Sequence, residues 1–260
     1  MAPKRTAASK AAADGGRSLW DSDEAEWRHW KHLYGAAIDA YKQGKAKALD
    51  SWYRDELIPS VKDRDPPHMT GDELVRLVEW KVTRGKFRPN LSKLAASNGA
   101  FLVQRTTERA FVQLRAIEEG GEAAQTTRLS VDAMQTLTSL KGVGPATASA
   151  IAAVVRPDIV PFTSDEAVQG VPGLAVKYDI KTFQKFMSRI LEKVAALRAE
   201  AATSKPDSNG VDSDGDGCEW TALRVEEALW AHHHLSGMPE YQREGREDDE
   251  PPAKREKKQH

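Results

Sequence analysis

At 260 residues and 28.7 kDa, with 40% hydrophobic residues, the chain carries enough apolar material for one sizeable core with polar ends to spare. A formal net charge of -1 excludes capture of nucleic acid by a global positive field, so such a partner needs a local basic surface. One cysteine, Cys218, excludes an internal disulfide framework and a four-cysteine iron–sulfur cluster and fits a reducing compartment, and no apolar run approaches a membrane span or a secretory leader.

Residues 1–18 are rich in Ala, Lys, Arg and Gly without periodicity and read as a disordered tail. A single all-α domain is expected over 19–237. Asp21 and Glu24 open its first helix, whose face is Trp27, Trp30, Tyr34, Ala37, Ile38 and Tyr41. At that spacing the aromatic stripe reads as core. Trp52, Leu57 and Ile58 continue the packing until Asp65-Pro66-Pro67, because a residue before proline avoids helical angles. Thr70 with Glu73 is a capping box that opens a helix running to Arg84 on Leu74, Leu77, Val78 and Lys81.

The best basic patch follows at 80–93. Lys81, Arg84, Lys86, Arg88 and Lys93 have only Glu79 as local counter-charge, which makes them candidate phosphate contacts with a steep salt dependence. The same charges fit a solvated helix end with Gly85 as its stop. Pro89 to Ser97 and Ala100 to Ile117 read as two more helices, parted by Asn98-Gly99, and Gly120-Gly121 breaks the chain after them.

The strongest motif lies at 130–155. Ser130 is a good N-cap, and Val131, Met134, Leu137 and Leu140 recur on one face, so a short helix is expected to end at Lys141. Gly142 and Gly144 then supply a tight turn, Pro145 suits a first helical position, and a helix rich in small residues runs to about Val155. Helix, Gly-Val-Gly, helix is a helix-hairpin-helix. Backbone N–H groups at the start of the second helix can approach an anion there, with the helix dipole favouring negative charge. Lys141, Gly142, Val143, Gly144, Ala146 and Thr147 are therefore the candidate DNA-binding residues. Contacts of this kind position a duplex without reading its sequence. A plain helical connection inside a bundle is the alternative reading.

Leu140 to Ile151, followed by Val160-Pro161 and an acidic helix start, resembles the core of the helix-hairpin-helix DNA glycosylase superfamily. The resemblance covers about forty residues. It implies a hairpin that grips the phosphate backbone, a nucleotide flipped into a pocket, and an aspartate soon after the Val-Pro pair that promotes cleavage of the glycosidic bond. The position that carries a strand-cutting lysine in that superfamily is Ala146 here, which argues against a Schiff-base lyase. The position of the superfamily's catalytic aspartate is Thr163. Asp165 and Glu166 lie two and three residues on, and are the candidate catalytic carboxylates. If Thr163 caps the helix, each step turns about 100 degrees, so Asp165 points away, and Thr163 with Glu166 forms a capping box. Residues 51–57, Leu74 to Pro89 and the hairpin together also resemble a eukaryotic family of unassigned function, over about Trp27 to His232.

After Pro172-Gly173, Asp179 to about Ala201 is expected as a long helix on Ile180, Phe183, Met187, Ile190, Val194 and Leu197. Residues 203–217 read as a flexible acidic linker. Its Asp212 to Gly217 imitates a calcium loop, but the twelfth position is Leu223 where a glutamate is required. Trp220 to His234 is a final helix, with Val225, Leu229 and Trp230 docking on the core. Its His232-His233-His234 run cannot converge on one ion, because consecutive helical residues diverge. Residues 238–260 form a charged, disordered tail whose Lys254, Arg255, Lys257 and Lys258 fit a nuclear import signal.

The expectation is an all-α, multi-helix domain around a glycosylase-like hairpin, monomeric, without metal or cofactor. Its expected role is nuclear, sequence-nonspecific binding of duplex DNA, with DNA repair as the setting. The alternatives are a monofunctional DNA N-glycosylase using Asp165 or Glu166, and a helical scaffold that binds a protein partner.

Overall fold

The computed structural model describes residues 18–118, 121–203 and 219–241. The sequence assignments to the tails, the acidic linker and its calcium-like loop lie outside them, save that 238–241, assigned to a disordered tail, carry a 3-10 turn, and Ser18 and Thr203 belong to the described part. Within those residues the chain is helical and forms no strand. The first helix opens at Glu24 under an Asp23 cap whose carboxylate accepts from the Glu26 amide. The aromatic spacing predicts one helix through Tyr41, but Leu33 breaks it into α1 (Glu24–His32) and α2 (Tyr34–Ala40). Trp27, Trp30, Tyr34, Ala37 and Ile38 are all buried, as their spacing requires.

The next helical run is α3 (Lys47–Ser51), a π-helical segment (Trp52–Leu57) and α4 (Ile58–Asp63). A π-turn widens the helix by one residue and re-aims the side chains around it. Here it accompanies a stack of Tyr53 on Trp80, with centroids 4.1 Å apart and planes 2° from parallel. One turn earlier, the buried Asp50 carboxylate accepts from Tyr34, Arg54 and the Trp80 indole. Thr70 and Glu73 form the expected capping box at the start of α5 (Gly71–Arg84). Helices α6 (Leu91–Ala96) and α7 (Ala100–Arg115) follow.

Helix α8 (Ala123–Leu137) runs straight through Ser130, which is fully buried, so Ser130 does not cap it. Tertiary packing of Thr126, Thr127 and Ser130 extends the helix upstream of the apolar repeat. Val131, Met134, Leu137 and Leu140 are buried on the face the repeat marks. Helix α9 (Pro145–Val155) is the centre of the domain, and every residue from Ala146 to Val155 is buried. Most of its residues are Ala, Ser or Thr, so α4, α5, α7 and α8 all approach it closely. Tyr53 donates to the Ala150 carbonyl at 3.0 Å. Beyond α9, Arg156 donates to the Leu114 and Ile117 carbonyls at 2.7 Å each and so closes the end of α7.

Helix α10 (Asp165–Gly170) is short, α11 (Ile180–Thr203) is long, and α12 (Ala222–Leu235) is buried along most of its length. A second apolar cluster joins α1 and α2 to α11 and α12, with Trp27 edge-on to Trp20 and Trp220. The described chain closes with a 3-10 turn (Pro239–Tyr241), whose Tyr241 carbonyl lies 2.9 Å from His29 Nε2.

Candidate nucleic-acid interface

The hairpin turn is held by a side chain that reads in the sequence as no more than a helix stop. Asn98, just past α6, accepts from the Lys141 amide and donates to the Lys141 carbonyl, both at 2.9 Å. Gly142 adopts φ +78°, and a Cβ there would stand 2.9 Å from the Ala95 amide nitrogen and 3.0 Å from the Leu91 carbonyl. That glycine is demanded by its conformation and by the close approach of α6. Gly144 differs. It is exposed, has open space around the position of a Cβ, and serves as the N-cap of α9 with Pro145 as its first residue.

Lys141 and Gly144 face solvent. The other expected contacts are corrected by burial: Val143 belongs to the core, and the Ala146 and Thr147 side chains are also covered. The Thr147 amide is spent on the Gly144 carbonyl at 3.0 Å. Gly144, exposed at the tip of α9, is where the turn's backbone lies open to an anion.

The basic segment divides in the same way. Lys86, Arg88 and Lys93 are exposed and Lys81 is half-buried. Arg84, expected on the same surface, is 1% exposed and grips Glu226 of α12 with two hydrogen bonds of 3.0 and 2.9 Å. It lies on the turn that also carries the buried Trp80, so the apolar face of α5 takes it inward. Burial lowers the affinity of its guanidinium for a proton, yet Glu226 outweighs this and holds it well above the ordinary range. Arg84 is therefore a structural cation. The signal for it in the sequence is the pair Glu226 and Glu227 inside an apolar helix, since buried acids require buried partners. Glu227 finds Arg54 at 2.6 Å.

The segment from Val160 to Ser164 is pinned on α9, because the Thr163 amide donates to Ser149 Oγ at 2.9 Å. Ser164, and not Thr163, caps α10: its hydroxyl accepts from the Ala167 amide at 3.2 Å and donates to Glu226 at 2.6 Å. The expected capping box of Thr163 with Glu166 does not form: the cap moves one residue on to Ser164, whose third helical residue is Ala167. Thr163 is 9% exposed and its Oγ1 is unpartnered.

This register places Thr163 and Asp165 in the walls of two adjoining clefts. The first, with an open volume of about 330 Å³, is also lined by Lys81, Lys86, Arg88 and Glu166. The second, of about 260 Å³, is lined by Pro145 and Ala146 of the hairpin and by Lys177. Asp165 therefore does not turn away from Thr163. Tyr178, which lines both clefts, donates to Asp165 Oδ2 at 2.6 Å, and Arg88 lies 5.1 Å from the centre of its ring. Burial pushes the Glu166 carboxyl up, and its Oε2 has no partner; Arg84 Nε is unpartnered in the same wall. These two atoms and Thr163 Oγ1 are buried behind the cleft wall rather than open to it.

Among the described residues no group of three His, Cys, Asp or Glu could hold a metal ion. The three consecutive histidines diverge: His232 stands edge-on to Trp30, and His234 lies against Trp230 and Tyr41. Burial pushes His232 down to about 4 and His234 to about 3, so both rings are neutral at pH 7. No helix is long and apolar enough to cross a membrane among the described residues. Compared with known proteins, the chain matches no family model, no curated protein and no solved structure.

Proposed function

We propose that this protein binds duplex DNA through its phosphate backbone, without reading sequence, in the nucleus and in the service of repair. The observation that carries the reading is a convergence. The tip of the hairpin and the basic 81–93 segment, about fifty residues apart in sequence, open onto adjoining clefts that share Thr163, Asp165 and Tyr178. The tip of α9 with the exposed Lys141 beside it, and the cleft-lining Lys86, Arg88 and Lys177, supply the anion contacts of this reading. The nuclear part rests on the basic cluster at 254–258, outside the described residues.

The reading is tested by titrating the protein with duplexes of unrelated sequence at two salt concentrations. Similar affinities across sequences, falling with salt, are expected. A Lys86→Ala, Arg88→Ala double variant should flatten the log–log salt slope by about two units, close to one for each cation removed from a phosphate. Salt-insensitive binding, or none, would leave the helical scaffold as the better account.

A monofunctional N-glycosylase is the second reading, favoured by the position of Asp165 in the walls of both clefts. In that chemistry a carboxylate stabilises the sugar cation while water attacks it. Base release that survives Asp165→Asn and Glu166→Gln would exclude these residues from the role.

A further inference from the structure

Helix α7 lines neither cleft, and its two faces differ sharply. Val103, Ala110, Phe111 and Leu114 are buried on the inward one, which packs on α5, α8 and α9. On the outward one Phe101, Leu102 and Val112 are 75%, 51% and 53% exposed, three of the four most exposed large apolar side chains among the described residues. At about 100 degrees per residue, Phe101, Val112, Arg105, Arg109 and Leu102 follow one another around the helix within an arc of about 100 degrees, along a stripe about 16 Å long. Arg105 and Arg109 are exposed and make no ion pair or hydrogen bond among the described residues, and Arg105 lies 5.9 Å from the centre of the Phe101 ring. Glu108 is the only acid on the helix, and the next acids begin at Glu118, past its end. A single exposed apolar residue requires no explanation, but three on one stripe with two unpaired cations form a patch that a partner would cover.

The arginines call for an anion, and the apolar side chains decide which kind. A phosphate backbone would pair with Arg105 and Arg109 but gains nothing by covering Leu102 and Val112. A lipid surface would take up Phe101 and Leu102 only by drawing in the two guanidiniums that lie between them around the helix, which hydrocarbon opposes. A second copy of the same face would set arginine against arginine. A protein segment that combines acids with bulky apolar residues satisfies both chemistries at once. Its carboxylates pair with the guanidinium forks, and Phe101, Leu102 and Val112 leave water.

We infer that the outward face of α7 binds an acidic amphipathic helix of another protein. The Asp and Glu side chains of that helix lie on Arg105 and Arg109, and its apolar stripe covers Phe101, Leu102 and Val112. The inference does not rest on the DNA-binding reading, because none of these five residues lines either cleft. It gives the protein a docking face separate from the hairpin and the clefts.

The test pans a display library of random peptides of about fifteen residues, long enough to follow the stripe as a helix, against the full chain. Enriched peptides should combine Asp or Glu with Leu, Phe or Trp, and should bind more weakly as salt rises. A Phe101→Ala, Leu102→Ala variant and an Arg105→Ala, Arg109→Ala variant should each bind the best peptide at least about tenfold more weakly. All four side chains are exposed, so both variants should melt at the wild-type temperature and bind duplex DNA within about twofold of wild type. No enrichment, enriched peptides without acids, or an affinity that neither variant moves overturns the inference. Duplex binding lost in the arginine variant would make this a nucleic-acid face. Binding of the wild type to phosphatidylserine vesicles, lost in the Phe101→Ala, Leu102→Ala variant, would make it a lipid face, and either result also overturns the inference. Acidic-peptide binding by a wild type that binds no duplex supports the inference and overturns only the DNA-binding reading.

Discussion

Replacing Glu226 by alanine strands a guanidinium in the core. Arg84 is 1% exposed and Glu226 fully buried, and the pair is closed by two hydrogen bonds with Ser164 as a third partner on the carboxylate. Removal of one member of such a pair costs about 3 to 5 kcal/mol, because the remaining charge stays desolvated without compensation. For a domain of this size that corresponds to a fall in melting temperature of roughly 6 to 20 °C. Urea unfolding of Glu226→Ala against wild type measures the cost directly. An Arg84→Met, Glu226→Leu double variant removes both charges and should recover at least about half of it, since apolar residues often replace buried ion pairs at little cost. A Glu226→Ala protein within about 1 kcal/mol of wild type would show that Arg84 reaches water or another anion, and the argument that it is a structural cation would fail.

Three further outcomes follow from the same contacts. Gly142→Ala should cost about 2 kcal/mol or more in urea unfolding, because a Cβ meets the backbone of α6 at 2.9 Å and φ is +78°, whereas Gly144→Ala should cost under about 1 kcal/mol. Burial works against the charge on Glu73, but hydrogen bonds from Arg64 and the Thr70 amide outweigh it and hold the carboxyl below its ordinary range. That stabilisation is complete above the unfolded value, about 4.3, and is lost as pH falls through the lower folded value; Glu73→Gln should unfold with a shallower acid limb. The depressed His232 and His234 carry the same sign: the unfolded chain binds their protons first, so stability falls as pH drops from about 6.5 toward about 4. A His232→Gln, His234→Gln variant that kept the wild-type slope over that range would contradict their burial as neutral rings.

The all-helical class and most buried faces were readable because they depend on local periodicity. Thr70 with Glu73, Pro145 at the start of α9, and the Val131, Met134, Leu137 and Leu140 face all have signals confined to one or two turns. Failures arose where distant contacts set the local register. Ser130 looks like a cap, yet packing carries α8 back to Ala123. Thr163 looks like a cap, yet its amide is held by Ser149 and the start of α10 moves to Ser164. That one-residue slip changes where Asp165 points, and with it the candidate site. Arg84 reads as a surface cation because its partner lies 142 positions away. Two acids in an apolar helix were the available warning.

The most direct test of the central claim is duplex binding by Gly144→Glu at two salt concentrations about fourfold apart. The substitution adds a negative charge at the open tip of α9, where a side chain has room, and leaves Gly142 and the α6 contact intact. A folded variant that loses most of its salt-dependent affinity is the predicted result, since like charge would meet the phosphate at the helix N-terminus. A folded variant that binds as tightly as wild type, with the same salt slope, would contradict the account and make the hairpin a packing element alone.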